Sequence, residues 1–352
     1  MFQDITVEDF IEFKEKKGFI TVDVRSPSEY KDSTIPGSIN IPLFDDKERA
    51  EIGTIYKQVG VKEAKERGLE IVSAKLPEFI KQFNETKAPK AVFCWRGGMR
   101  SRTSATLLDL MGIKTFRIAG GFKEYRKWVV ERLENFDLKP EVYVLNGYTG
   151  TGKTLMLKKL AEEGYGIVDL EALAGHRGSI FGQIGLEPAN QKSFDSLLLN
   201  TLTELQDHPF IMFEAESSRI GKVVLPHFVI EKKEQGKQIF IDMPIEERVK
   251  HILEDYRPWE HQTESIEAFN KIKRRLHTPI AAEIEKDLEE GEFHSAVELL
   301  LIHYYDPRYA FAKEKYPQNK ILTIKVQNVD EAVSRIKEIL PSVNKASSFK
   351  KM

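Results

Sequence analysis

Val142-Tyr-Val-Leu-Asn-Gly147-Tyr-Thr-Gly150-Thr-Gly152-Lys153-Thr154-Leu-Met-Leu decides the fold class. An apolar strand over Val142–Leu145 enters a glycine-rich turn, and a helix over Leu155–Glu163 leaves it. Strand, G-x-x-x-x-G-K-[ST], helix is the phosphate-loop pattern. Its glycines let successive main-chain N–H groups turn inward around phosphate oxygens, and the helix N-terminus adds partial positive charge. Gly147, Gly150, Thr151 and Gly152 form the cradle, Lys153 neutralises the terminal phosphate, and the Thr154 hydroxyl is placed to ligate magnesium. The pattern is specific for phosphate binding and says little about the reaction.

Downstream, strands at Gly166–Val168, Phe210–Phe213 and Gln238–Ile241 alternate with helices at about 193–206 and 245–255. Residues 263–316 read as mostly helical, Ile321–Val326 as a last strand, Val329–Leu340 as a last helix, and 342–352 as a polar tail. Upstream, strands at Phe19–Val24, Ser38–Ile41, Ala91–Phe93 and Thr115–Ile118 alternate with helices at Leu76–Phe83, Ser101–Leu110 and Lys123–Leu133. Alternation of this kind predicts parallel sheets with crossover helices. The expectation is a two-domain α/β protein: 1–133, a linker at 134–140 ending in Pro140, and a phosphate-loop domain with a helical extension over 141–341.

The 352 residues are enough for two cores, and their single cysteine excludes a disulfide framework and any multi-cysteine zinc site. No apolar run reaches the roughly 18 residues of a membrane span, and the acidic start lacks a signal pattern. The expectation is therefore a cytoplasmic protein without a membrane partner. Fifty-three Lys and Arg against 55 Asp and Glu give a net charge of −2, but that average hides a local excess. Between Lys87 and Lys127 ten basic residues face two acidic ones. Cys94, the only cysteine, lies inside that stretch.

Cys94-Trp-Arg96-Gly97-Gly98-Met-Arg100-Ser101 follows a buried strand and precedes a helix. Two glycines allow a tight cradle of amides, while Arg96, Arg100 and Arg102 add cationic charge; both favour thiolate over thiol and suit an anionic substrate group. The acidic partner of the phosphate loop is open between Glu214 and Glu216, after the Phe210–Phe213 strand, and Asp169 and Glu171, after the preceding one. Each carboxylate alone is as readily a helix cap. His176 and Arg177 lie in an unusual Gly175–Ser179 turn, where the arginine suits a phosphate or nucleic-acid backbone as well as a plain surface role. Lys271, Lys273, Arg274 and Arg275 cluster on a predicted helix, and the aromatics of 256–261 and 303–309 are candidates for base stacking.

With Asp23-Val-Arg25-Ser-Pro-Ser-Glu29-Tyr30, Ile35–Pro42 and Ile118-Ala-Gly-Gly-Phe122, the cysteine loop resembles that of the rhodanese family. Arg100 sits six positions after the cysteine, one more than in many sulfur-transferring rhodaneses. Rhodanese-like phosphatases share the longer loop but usually carry His where this chain has Phe93. The length hints at a substrate larger than thiosulfate. Combined with the phosphate loop, Asp169–Gly182 and the Tyr304–Tyr309 segment, the pairing resembles the tRNA 2-selenouridine synthase family over nearly the whole chain. The resemblance implies replacement of sulfur by selenium in wobble 2-thiouridine of tRNA, with selenophosphate and geranyl diphosphate as co-substrates and no tightly bound cofactor. Two other readings compete: a phosphate-loop kinase or ATPase fused to a sulfurtransferase or phosphatase, and a phosphate-sensing binding module.

Overall fold

In residues 1–135 five strands, β1 (Gln3–Ile5), β2 (Ile20–Asp23), β3 (Ile39–Asn40), β4 (Lys90–Phe93) and β5 (Thr115–Ile118), pair in parallel in the order β1-β5-β4-β2-β3. The central strand, β4, is buried at every residue, which is why its sequence is a continuous short run without polar alternation. Helices α1 (Val7–Lys17), α2 (Pro27–Asp32), α3 (Asp46–Gln58), α4 (Val61–Asn84), α5 (Met99–Leu110) and α6 (Gly121–Glu134) flank the sheet. Phe79, Phe83, Val92, Ala105 and Leu108 fill its core, each large apolar side chain stabilising by about 1.5–3 kcal/mol on burial. The computed structural model describes residues 1–308 and 321–341. Its chain divides into two units, 1–135 with 195–197, and the rest.

The second unit repeats the plan. Strands β6 (Glu141–Gly147), β7 (Ile167–Val168), β8 (Phe210–Glu214), β11 (Lys237–Asp242) and β12 (Ile321–Lys325) form a parallel sheet in the order β12-β11-β6-β8-β7, and β9 (Arg219–Ile220) pairs with β10 (Val223–Val224) as a small hairpin. Helices α7 (Lys153–Glu162), α8 (Leu170–Ala174), α9 (Gln191–Glu204), α10 (His227–Gln235) and α11 (Ile245–Tyr256) alternate with these strands. Helices α12 (Gln262–Asn270), α13 (Thr278–Glu290) and α14 (Phe293–Leu300) pack around their own core of Phe269, Ile284, Leu288 and Tyr304. A last helix, α15 (Val329–Ile339), returns to the sheet through Val333 and Ile336. In both units the chemistry-bearing loop leaves the C-terminal end of the middle strand, where diverging crossovers open a crevice.

Two-domain α/β architecture is thus what the alternation predicts. Some elements differ. Helix α4 begins at Val61 instead of Leu76, because its inner face there is carried only by Ala64, Gly68 and Val72, a sparse and weakly apolar stripe among charged neighbours. Gly68 lies against Phe44 and Ile52, so the stripe lets α3 and α4 approach closely. Residues 136–140 are anchored in the second unit: Phe136 stacks on Phe228, centroids 5.7 Å apart, and Leu138 is buried with its carbonyl bonded by Lys232. The end of the expected helical stretch, 309–316, the tail 342–352 and Tyr309 lie outside the described residues.

Candidate functional site

Cys94 directly follows β4 and is 3% exposed. Its Sγ lies 3.2 Å from Oγ of the fully buried Ser101, on the first turns of α5. Behind it the Ala119–Phe122 loop is clamped on: Phe122 N–H donates to the Cys94 carbonyl and Lys123 N–H to that of Trp95, both at 2.8 Å. Gly121 is required here, since a Cβ would stand 2.1 Å from the Cys94 oxygen and 2.5 Å from the Gly97 nitrogen. The Arg117 guanidinium bonds the Gly97 carbonyl. Arg25, buried on the ring of Phe122, forks onto Asp23, with Nη2 2.6 Å from Oδ2. A thiol at the mouth of a helix N-terminus, inside a loop this firmly braced, can hold and pass on an anionic group.

The arginines divide. Arg96 and Arg102 are exposed at the rim. Arg100 is half-buried and bound by both nitrogens to Glu29, so its charge is largely answered by a carboxylate on α2. Gly98 is exposed at the helix cap and leaves the loop mouth open.

The phosphate loop takes the expected form, with Gly152 capping α7. Thr151 is fully buried and its hydroxyl donates to the Tyr148 carbonyl at 2.9 Å. Gly147 packs against Thr151 and the Ile241 carbonyl at the end of β11. Two residues of α11 hold the outside of the loop: Arg248 Nε donates to the Thr149 carbonyl at 2.9 Å, and His251 Nδ1 lies 3.0 Å from the Gly150 oxygen. The buried Arg248 also forks onto Asp306, which follows a π-helical turn at Leu301–Tyr305. Spacing alone gave no sign of Arg248 or His251. Asp306 could have been found only through the Tyr304–Tyr309 motif.

The acids fall into two roles. Glu171, Glu214 and Glu216 bring one carboxylate oxygen each within 4.8 Å of one another. Thr154 Oγ1 is 3.5 Å from Glu171 on the edge of that group. Burial and then the Glu214 and Glu216 charges push the Glu171 carboxyl far above the usual range. Burial also raises Glu214, against the pull of Lys153. Asp169 is the cap of α8, accepting from the Ala172 amide at 2.8 Å, and burial raises its carboxyl as well. Lys233, missed in the sequence, is pushed down to about 8 by burial and donates to the Glu216 main-chain oxygen at 2.7 Å.

The Gly175–Ser179 turn is built inward. Arg177 donates to the carbonyls of Ile184 and Asp255 at 2.8 and 2.9 Å and lies over the Tyr256 ring, so its guanidinium is committed to the fold instead of reaching for a phosphate. His176 Nδ1 accepts from the Gly178 amide at 3.1 Å, and burial with the Arg177 charge depresses its pKa. Lys273, Arg274 and Arg275 form a single 3-10 turn after α12, not part of a helix, because the chain reverses toward α13 there. Lys273 is bound to Glu285, whereas Lys271, Arg274 and Arg275 are exposed. Of the aromatics, Tyr304 belongs to the helical core and Trp259 is exposed.

Residues 6–127 match the rhodanese-like domain family, and residues 140–339 match the tRNA 2-selenouridine synthase AAA domain. The tRNA 2-selenouridine synthase of Bdellovibrio bacteriovorus is 32% identical over 338 residues, covering 84% of this chain and 89% of that protein. That of a Sulfurovum species is 32% identical over 326 residues, with 84% and 88% covered. That of Aeromonas salmonicida is 32% identical over 326 residues, with 82% and 86% covered. Both domains, in one order and over nearly the full length of these relatives, lead to one conclusion: the chain belongs to the tRNA 2-selenouridine synthase family.

Proposed function

We propose that this chain exchanges sulfur for selenium in wobble 2-thiouridine of tRNA through an S-geranyl intermediate, with geranyl diphosphate bound at the phosphate loop and selenophosphate supplying selenium. The observation that carries the geranyl half is a partly open apolar cavity abutting that loop. Thr149 of the loop lines it, together with Phe181, Ile252, Tyr256, Leu300 and Tyr305. Three of its hydroxyls are satisfied within the protein: Ser179 Oγ and Tyr256 OH are 3.2 Å apart, and Ser265 donates to the His261 carbonyl at 2.8 Å. An apolar slot beside a phosphate cradle suits an isoprenoid diphosphate better than an adenine nucleotide, whose base edge needs polar partners.

The chemistry follows from the residues. The thiocarbonyl sulfur attacks C1 of the geranyl group as the C1–O bond breaks, and the electron pair leaves with diphosphate. Loop amides and Lys153 stabilise that growing charge. A selenium nucleophile then adds at C2 of the base, and geranylthiolate departs with its electron pair. The amide cradle around Cys94 holds the selenophosphate whose selenium makes that attack, and water then takes the phosphoryl group as the P–Se bond breaks, releasing phosphate and leaving selenium on C2. The exposed Lys271, Arg274 and Arg275, with Arg96 and Arg102, are the cations available to the tRNA backbone.

Incubation with 2-thiouridine tRNA and geranyl diphosphate, with and without selenophosphate, followed by mass spectrometry of the nucleosides, tests this reading. Lys153→Ala is expected to remove geranylation, whereas Cys94→Ser removes selenation and leaves geranylation largely intact. Brisk ATP turnover with neither modified nucleoside would return the kinase or ATPase reading.

A further inference from the structure

We propose that the β9–β10 hairpin, through Arg219 and Lys222, grips the backbone of the tRNA anticodon loop and holds it beside the phosphate loop. The hairpin follows directly from β8, the strand next to β6, so it stands on the same C-terminal edge of the sheet as the phosphate loop. Contacts lead from one to the other. Gly221, in the turn, packs on the His176 ring, where a Cβ would stand 2.7 Å from Cδ2. His176 accepts from the Gly178 amide, Gly178 abuts the Glu171 and Glu216 carboxylates, and Glu171 lies 3.5 Å from Thr154 Oγ1.

The hairpin is built to hold its cations in place. Ile220 and Val223 pair across it and are buried, and Leu225 is buried after them, whereas Arg219, Lys222 and Val224 face solvent. Gln191 on α9 clasps Val224 twice, its Nε2 donating to the Val224 carbonyl at 2.9 Å and its Oε1 accepting from the Val224 N–H at 2.8 Å. Ser217 Oγ donates to the Arg219 carbonyl at 2.6 Å. The turn is two residues, Gly221-Lys222, with Gly221 left-handed at φ +54°. Nearby His227 Nδ1 lies 3.4 Å from Glu231, but neither Arg219 nor Lys222 forms an ion pair among the described residues. An RNA loop bringing its base toward the phosphate loop passes Glu171 and Glu216, whose charge repels its phosphates; cations on the rim offset that field. Exposed Val224, paired across from Arg219, adds an apolar surface for a ribose or base.

The partner rests on the tRNA reading, and the test keeps the two apart. Binding of the full chain to an anticodon stem-loop RNA with 2-thiouridine at the wobble position is followed by fluorescence anisotropy over a range of KCl. Arg219→Gln combined with Lys222→Gln is expected to weaken binding about tenfold at moderate salt and to flatten the slope of log affinity against log salt by about 1.4, two contacts at ~0.7 each. Lys62→Gln, on the exposed surface of α4, leaves both unchanged. Calorimetry with inorganic diphosphate should give the double variant the wild-type affinity, which separates a lost RNA contact from a damaged phosphate loop. Melting curves verify folding, and the single variants decide if the double one does not fold. If wild type binds the RNA and the double variant matches it in affinity and slope, the hairpin proposal alone fails. Lost diphosphate binding in the double variant overturns it too. If wild type does not bind the RNA at all, the tRNA reading falls and the hairpin proposal with it.

Discussion

Glu214 shows what burying a single carboxyl costs. Its carboxyl is raised by burial, so the folded protein binds its proton more tightly than the unfolded chain does. The sign follows: the penalty is absent below the ordinary carboxylate pKa and grows as pH rises above it. Glu214→Gln, measured in chelator, should therefore melt higher than wild type at pH 8, by on the order of 1–3 kcal/mol, with the difference vanishing near pH 4.5. An equal difference at both pH values would show that the charge is not the cause. Gly121 makes the opposite case, a residue defined by what it lacks. Gly121→Ala should destabilise the first unit by about 2 kcal/mol or more in urea melts, since the new Cβ meets the Cys94 carbonyl and the backbone is left-handed at φ +62°.

Among the elements, α11 works as a brace. Its Arg248 joins the Thr149 carbonyl to Asp306, and so ties the phosphate loop to the helical segment whose Leu300, Leu301 and Tyr305 line the apolar cavity. Lysine cannot make the fork and the carbonyl bond together. Arg248→Lys and Asp306→Asn should each weaken inorganic diphosphate binding about tenfold, or ~1.4 kcal/mol, by calorimetry. A double variant no weaker than either single one would show that they act as one unit. Unchanged affinity in both single variants would reduce the brace to plain packing. None of this was legible from periodicity. Helix α11 itself was expected, but a helix pattern does not say which neighbour an arginine will reach.

Across the whole molecule, charge is where linear counting misleads most. Ten basic residues lie between Lys87 and Lys127, yet several are spoken for. Glu29 holds Arg100, Asp4 holds Arg117, and Lys90 is buried on the Thr86 and Ala88 carbonyls. Lys87, Arg96, Arg102, Lys114 and Lys123 are left exposed. Within this stretch, the salt dependence of tRNA affinity should follow those and not the paired ones. Arg96→Gln with Arg102→Gln should flatten the slope of log affinity against log salt by about 1–2, whereas Arg117→Gln leaves it unchanged. Equal flattening by both would mean that the Asp4 pair opens to bind RNA.

The sequence by itself determined the two parallel α/β units and their two loops, because burial of a strand on both faces and the turn chemistry of glycine are local demands written in adjacent residues. It also located Cys94, Lys153 and Thr154, which belong to contiguous motifs. It left four carboxylates equivalent, and only the tertiary structure made Asp169 a helix cap and brought Glu171, Glu214 and Glu216 together. The same holds for Arg177, Arg248 and the partners of the basic stretch. These outcomes depend on which side chains from distant segments meet in a low-dielectric interior, and no local pattern carries that.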